Sequence, residues 1–159
     1  MEVRNKVRSI AYDMDVAKIS VVGIPDKPGI AASIFVPLAK AGISVDTIVQ
    51  NSSVNKIADL TFTVTKDQIN DAMKVAKPIA KKLGAGDIVS DTALGKVSIV
   101  GTGMQNTPGF AAKMFDTLSQ EGINIELIST SEIRITCIIK ESKVKEAVRA
   151  LHKAFEVEV

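Results

Sequence analysis

The first part of the chain changes from one hydrophobic period to another at a turn rich in proline and glycine. Residues 18–23 alternate between apolar and polar side chains, which is typical of a strand with one buried face. After the turn at 25–29, apolar residues recur at helical spacing up to Gly42, at Ile30, Ile34, Phe35 and Leu38. The pattern therefore predicts a strand, a turn and a helix in that order.

The pattern then predicts two more strands, a second helix and a last strand. Alternating segments at 44–50 and 58–64 are joined by a polar loop, and 87–90 is a short strand. Between them lies a second helical stripe of Ile69, Met73, Ala76, Ala80 and Leu83. The order βαββαβ is that of the ferredoxin-like fold, an α+β arrangement with two helices on one sheet face.

Two prolines interrupt the helical patterns of this unit. Pro37 and Pro78 each lack the amide that would bond to the carbonyl four residues earlier. We therefore expect a kink or an early end at these positions.

The whole unit is present twice. The stretch 20–32 returns about eighty residues later as 98–112, and Gly42-Ile-Ser-Val-Asp returns as Gly122-Ile-Asn-Ile-Glu. Core positions and turn glycines are thus copied together, and we expect the second copy to repeat the full order of elements.

The duplication predicts two domains in tandem, at 17–92 and 93–159, preceded by the segment 1–16. Residues 7–13 also alternate between apolar and polar side chains. We expect this segment to add a strand to either sheet, which would make the domain boundaries discontinuous in sequence.

Composition excludes several classes of partner. The 159 residues carry a dispersed net charge of +2 and one tyrosine, so neither a basic patch nor a stacking platform for nucleic acid is expected. The single cysteine, Cys137, cannot form an internal disulfide and is expected to be a buried strand thiol in a reducing compartment. No apolar run approaches the length of a membrane span, so we expect a cytoplasmic protein without a membrane partner.

The residues offer little chemistry for catalysis. The only histidine, His152, adjoins an apolar helical stripe, and carboxylates are scattered rather than grouped as metal ligands. Gly101-Thr-Gly103 begins like a dinucleotide fingerprint, but its third glycine position holds Asn106, and no phosphate-binding loop motif is present. We expect no catalytic residues, no metal and no cofactor, which leaves binding.

The Pro-Gly turns are the candidate binding feature. In each copy the turn precedes the first helix, so unpaired amides at 29–31 and 109–111 favour an anion such as a small carboxylate. Asp26 could counter the ammonium group of a free amino acid. The second copy has Asn106 in place of Asp26 and Phe110 in place of Ile30, which predicts two sites of different selectivity. Asp-Lys-Pro-Gly is equally a good turn sequence that binds nothing.

Polar residues also share one parity on the following predicted strands. They are Ser44, Asp46 and Gln50 in the first copy and Asn124 and Glu126 in the second. These side chains either line a pocket or simply face solvent.

The duplicated βαββαβ unit with its Pro-Gly turn resembles the ACT domain, a small-molecule regulatory module of amino-acid metabolism. The string from Asn124 to Ile135, Asn-Ile-Glu-Leu-Ile-Ser-Thr-Ser-Glu-Ile-Arg-Ile, narrows the resemblance, together with 23–29 and 49–51. These segments resemble the C-terminal regulatory region of bacterial aspartate kinases (EC 2.7.2.4), and the resemblance covers essentially the whole chain. Those enzymes convert ATP and L-aspartate to 4-phospho-L-aspartate, the first step towards lysine, threonine and methionine.

The resemblance implies a regulatory part without the kinase domain. It implies either a separately made β subunit or the C-terminal region of a longer enzyme. It further implies a homodimer through the ACT domains, a catalytic subunit or domain as partner, and feedback inhibition by L-threonine, alone or with L-lysine.

Effector-binding positions are carried over from the same resemblance. A first pocket between two chains is formed by Asp26, Gly29, Ile30, Ala31 and Gln50 of one chain and Asn124 and Ile125 of the other. A second pocket is formed by Ser44, Val45, Asp46, Phe110 and Ala111. Ser131 and Glu132, with Thr61, match family positions linked to feedback control.

Two other functions stay open at this level. The chain could be an ACT-type sensor of a different enzyme, or a structural dimerisation module that binds no ligand. The segment Ile128-Ser-Thr-Ser-Glu argues against the first.

Overall fold

The computed structural model describes residues 6–52, 55–104 and 107–157, which fall into two compact units. The first unit is Asp15–Thr92, and the second joins the residues up to Met14 to those from Ala93 onward. Each has four strands and two α-helices within the described residues. The predicted α+β class with two ferredoxin-like units is confirmed.

The first unit is built from the first copy of the repeat. Its elements are β1 (Val7–Pro25) from Asp15 onward, α1 (Ile30–Lys40), β2 (Ile48–Ser52), β3 (Ile57–Val64), α2 (Ile69–Lys82) and the start of β4 (Asp87–Gly101). The strand order is β2-β3-β1-β4. Ile34, Leu38 and Phe62 are fully buried in one apolar cluster between helices and sheet, because the two hydrophobic faces must cover each other.

The second unit uses the rest of the chain. Its elements are the start of β1, the rest of β4, α3 (Phe110–Gln120), β5 (Leu127–Thr130), β6 (Arg134–Lys140) and α4 (Val144–Ala154). The strand order is β1-β4-β6-β5. Its apolar cluster includes Val97, Ile99, Met114, Leu118 and Leu151, all fully buried.

The last strand of the second unit comes from the N-terminus of the chain. The second copy ends on α4, so the expectation that it repeats the whole order of elements is wrong for its fourth strand. The first half of β1 takes that place, and the Thr102 N–H to Lys6 O bond of 3.3 Å continues its pairing with β4. The predicted strands 7–13 and 18–23 are one continuous strand, and 87–90 likewise continues into the first strand of the second copy.

The turn glycines end the first helix of each unit as the sequence predicts. Gly42 and Gly122 have φ of +78° and +70°, a conformation that glycine adopts without strain. The next amide then donates back to the helix, from Ile43 to Leu38 O at 3.0 Å and from Ile123 to Leu118 O at 2.9 Å. These bonds form the Schellman motif, with an apolar residue sealing each helix end.

The two prolines do not end their helices early. Pro37 and Pro78 lie inside α1 and α2, which continue to Lys40 and Lys82. Each proline lacks the bond to the carbonyl four residues earlier, but the helix continues past it. The expected early end is therefore wrong, and the expected kink stays a prediction.

The edge strands begin later than predicted. β2 begins at Ile48 rather than 44, because the Thr47 amide donates to the Thr63 side-chain oxygen at 3.0 Å instead of to a ladder carbonyl. β5 begins at Leu127, so Asn124 precedes it. The prediction that these polar residues lie on strand faces is therefore wrong for Ser44, Asp46, Asn124 and Glu126. Gln50 does lie on a strand, β2.

Cys137 is the buried strand thiol that the sequence predicts. It is 0% exposed on β6, and its sulfur lies 4.0 Å from the sulfur of Met114. Desolvation by burial raises the pKa of Cys137 to about 12 from an ordinary 9.0. The thiolate required for reaction or metal binding is therefore disfavoured in the folded protein.

This shift predicts a pH dependence of stability. Because the pKa is higher in the folded state, the free energy of unfolding is unaffected below pH 9 and falls between pH 9 and about 12. The slope approaches roughly 1.4 kcal/mol per pH unit in that window. Urea denaturation at pH 8 and 10 checks this with Cys137→Ala as the reference, since that variant lacks the thiol and shares every other titration. Parallel pH profiles for the two proteins would contradict the expectation.

Candidate functional site

The N-terminus of α1 carries backbone amides that no side chain caps. Gly29 is the N-cap with φ of +92°, and no side-chain cap bond forms there among the described residues. The first helical bond runs from Ser33 N–H to Gly29 O at 3.0 Å. The amides of Ala31 and Ala32 precede it and have no acceptor within the helix. With the helix dipole, they make this end favourable for an anion.

The same geometry recurs at α3. Gly109 has φ of +105° and no side-chain cap bond forms there in the described part of the chain. Lys113 N–H bonds to Gly109 O at 2.9 Å, which leaves the first-turn amides, including that of Ala111, without helical acceptors. Both copies therefore begin their first helix with a left-handed glycine that follows a proline.

Asp26 is tied to the hairpin of its own unit. Its amide donates to Lys56 O at 2.8 Å, and its half-buried side chain has no partner among the described residues. In β3, Ala58 pairs with Ile24 of β1 and with Ser52 of β2. The turn that carries Asp26 and the last residues of β2 therefore lie at the same end of the sheet.

The predicted residues of the first unit divide between its two ends. Gln50 is exposed on β2 opposite Leu60, two positions from the end that holds Asp26, Gly29, Ile30 and Ala31. Ser44, Val45 and Asp46 lie at the other end, where Asp46 N–H bonds to Thr63 O at 3.0 Å. Val45 packs against the apolar cluster, so it contributes to the core.

The second unit shows the same division, with a cavity at one end. A cavity of about 300 Å³ lies beside the N-terminus of α3, lined by Met104, Thr107, Pro108, Gly109, Ala111, Thr130, Ser131 and Ile135. It brings together two predicted residues, Ala111 and Ser131. Its described lining residues include hydroxyl side chains and no charged one, which suits a small carboxylate or a hydroxylated ligand.

The other predicted residues of this unit surround the cavity or lie away from it. Glu132 is in the exposed turn between β5 and β6, which the Ser131 N–H to Arg134 O bond of 2.8 Å closes. Phe110 packs against the apolar cluster. Asn124 and Ile125 precede β5 at the opposite end, and Asn106 lies outside the described residues.

Two hydroxyl pairs and a glutamine form side-chain bonds that the sequence does not predict, although Thr61 of the first pair is a predicted position. Thr61 bonds to Ser20 at 2.9 Å between the side-chain oxygens, and Ser98 bonds to Thr136 at 2.6 Å in the second unit. Gln68 links Ser44 N–H and Gly42 O, both at 3.3 Å. Ser20 and Ser98 occupy matching positions in the repeat, and this match could have indicated the hydroxyl pairs. No feature of the sequence indicates the bonds of Gln68.

Comparison with known proteins identifies the family. The model described as "ACT domain" matches residues 19–77 and 97–155. A chain in the crystal structure of aspartokinase alpha and beta subunits has 43% identity and a TM-score of 0.88, covering 95% of this chain and 99% of that one. The regulatory subunit of Thermus thermophilus aspartate kinase, in its ligand-free form, has 42% identity and a TM-score of 0.88, with 94% and 98% covered.

Curated relatives agree with the structural ones. Aspartate kinase Ask_LysC of Stutzerimonas stutzeri is 45% identical over 152 residues, which are 96% of this chain and 37% of that protein. The chain belongs to the ACT domain family, as a tandem pair of the kind found in regulatory subunits of aspartate kinase. The resemblance drawn from the sequence is confirmed. The chain spans 37% of the length of the first curated relatives that it matches.

Among residues 6–52, 55–104 and 107–157, no helix combines the length and apolar character that crossing a bilayer requires.

Proposed function

We propose that this chain is the regulatory part of an aspartate kinase and that its ACT units bind an amino-acid effector. Relatives named aspartate kinase and regulatory subunit of aspartate kinase support the assignment. Phosphorylation of L-aspartate by ATP would then belong to another part of the enzyme, either a catalytic domain or a separate catalytic subunit. A cytoplasmic location fits the unpaired, buried Cys137.

The observation that carries the ligand proposal is the uncapped helix N-terminus behind a left-handed glycine, present in both units. Its amides would hold the effector carboxylate by charge-assisted hydrogen bonds. In the first unit, Asp26 would pair with the ammonium group, and Gln50 would bond to a side-chain hydroxyl. These groups suit a hydroxylated amino acid, and we propose L-threonine, alone or with L-lysine as a second effector.

We propose that the pocket lies between two chains. Asn124 and Ile125 lie at the end of the second unit opposite to its helix N-terminus, so they cannot close a pocket on that helix. They would instead face Asp26 and Gln50 of a second copy, which makes the homodimer part of the proposal. Closure by a second chain would remove the ligand from water and strengthen each polar contact.

Modest energies suffice for feedback control. A millimolar dissociation constant corresponds to about 4 kcal/mol, which a few charge-assisted hydrogen bonds supply. Inhibition requires that the effector bind one arrangement of the enzyme more tightly than another, typically by about 1–3 kcal/mol.

Substitution of the polar anchors is expected to weaken threonine binding. Asp26→Ala removes the ammonium partner and Gln50→Ala the hydroxyl partner, and each should raise the dissociation constant by about tenfold, or roughly 1.4 kcal/mol. Both substitutions leave the apolar core intact, so folding should be unchanged. Calorimetric titration with each of the common amino acids measures the affinities. Asp71→Ala, an exposed carboxylate on α2, is the matched control.

Two results would refute the proposal. If both variants bound threonine with wild-type affinity, the contacts assigned to Asp26 and Gln50 would be refuted. If none of the amino acids gave a binding heat in the titration, the chain would instead be a structural dimerisation module. Co-purification of a catalytic kinase chain with the tagged protein tests the enzyme assignment separately.

A further inference from the structure

A groove on the second unit has no role in the proposed effector site. It has a volume of about 380 Å³ and is lined by Tyr12, Val144, Lys145, Val148 and Arg149. Tyr12 stands on the first half of β1 with 60% of its surface exposed, and the other residues belong to α4. The groove therefore has an apolar floor with two cations from one helix beside it.

The two cations are available to a ligand. Within the described residues, no carboxylate lies at ion-pair distance from Lys145 or Arg149, and both side chains are exposed. Glu146, between them in sequence, pairs with Lys143 at 3.4 Å instead. An approaching carboxylate would thus meet two cations that form no ion pair with a described carboxylate.

A sheet edge borders the same groove. In the strand order, the first half of β1 has β4 on one side, and β3 pairs with β1 only from Ala17 onward. No strand of the described part of the second unit continues the sheet beyond this half of β1. Such an edge can pair with an extended polypeptide, whose alternate side chains then lie on the face that α4 borders.

We propose that this edge and groove form a docking site for an extended acidic segment of a partner protein. The segment adds as a strand to the first half of β1, inserts an apolar side chain against Tyr12 and Val148, and places carboxylates near Lys145 and Arg149. The strand edge favours a polypeptide over a small anion, and the charges favour an acidic one.

The test uses a capped peptide that alternates glutamate with valine and phenylalanine, titrated into the full chain by fluorescence anisotropy. A lysine-containing peptide of the same apolar pattern is the charge control, and an acidic peptide N-methylated at alternate amides is the strand-pairing control. We expect the acidic peptide to bind and both controls to bind about tenfold more weakly or not at all. Tyr12→Ser should weaken binding by about tenfold, whereas Ser90→Ala, at an exposed position of β4 in the first unit, should not.

A double reversal, Lys145→Glu with Arg149→Glu, should lose the acidic peptide and gain the basic one, and that gain also shows that the variant is folded. Equal affinity for acidic and basic peptides, or full affinity of the N-methylated peptide, overturns the proposal. If the acidic peptide did not bind and the double variant changed its oligomeric state, the groove would be assigned to a second copy of the chain. That result would overturn the proposal as well. Threonine affinity is measured on the same samples, so the effector proposal and the docking proposal are tested independently of each other.

Discussion

Deletion of residues 1–14 is expected to unfold the second unit while the first unit stays folded. The deleted residues supply the fourth strand of the second unit, and Val7, Ile10 and Met14 belong to its apolar cluster or pack against it. Full burial of one such side chain contributes about 1.5–3 kcal/mol. Since a small domain is stable by about 5–15 kcal/mol in total, the loss is comparable to the whole stability of the unit.

Amide signals in NMR spectra distinguish the two units. We expect dispersed signals for residues 15–92 and collapsed signals for residues 93–157 in the truncated chain. Deletion of residues 1–5 alone is the control, because β1 begins at Val7 and is left whole. Addition of a peptide of residues 6–14 should restore the second set of signals. A truncated chain with a dispersed second unit would show that the strand is dispensable.

Gly95→Ala is expected to destabilise the protein by about 3 kcal/mol, the upper end for an overpacked core. A Cβ at Gly95 would lie 2.6 Å from Cγ2 of Val144 and 3.1 Å from the carbonyl oxygen of Asp13. Val144 is fully buried, and its β-branched side chain has one strongly preferred rotamer in a helix. The added methyl group must therefore displace the start of α4 or the neighbouring strand.

Urea denaturation followed by circular dichroism measures this effect. Gly86→Ala is the matched control, since its Cβ would meet only Val22 O at 3.6 Å and its φ is not positive. We expect the control to change stability by less than about 0.5 kcal/mol. Equal denaturation midpoints for the two variants would disprove the steric argument.

The repeat alone would have suggested the opposite outcome at Gly95. Its counterpart in the first copy is Ala17, which is fully buried, so alanine is tolerated there. The two positions differ because of what packs over them, namely Val144 and the carbonyl of Asp13 in the second unit. Identical local patterns cannot reveal such a difference, since it depends on contacts between residues far apart in sequence.

Most elements of the fold follow from local patterns. The helix of the first copy and its end at Gly42 were predictable because a 3.6-residue apolar period and a left-handed glycine act within one turn. The start of β2 was not, because Thr47 donates to the side chain of Thr63, sixteen residues away. The early end expected at Pro37 does not occur, since α1 continues to Lys40, and the expected kink stays a prediction.

The candidate site likewise has features that the sequence predicts and features that it does not. The uncapped amides after Gly29 and Gly109 were predictable, since a Pro-Gly turn before an apolar helical stripe defines them locally. The predicted strand positions of Ser44 and Asn124 are wrong because both residues precede their strands. The cavity that joins Ala111 to Ser131 depends on the packing of α3 beside the hairpin of β5 and β6.

By itself, the sequence determined the duplicated α+β unit, the turns that open the first helix of each copy and the family to which the chain belongs. Those features depend on periodicity and on residues close together along the chain. Only the tertiary structure decided that the N-terminal segment completes the second sheet, and which ends of the sheets carry the polar residues. Strand pairing and burial join residues almost a hundred positions apart, and one sequence contains no local signal for such contacts.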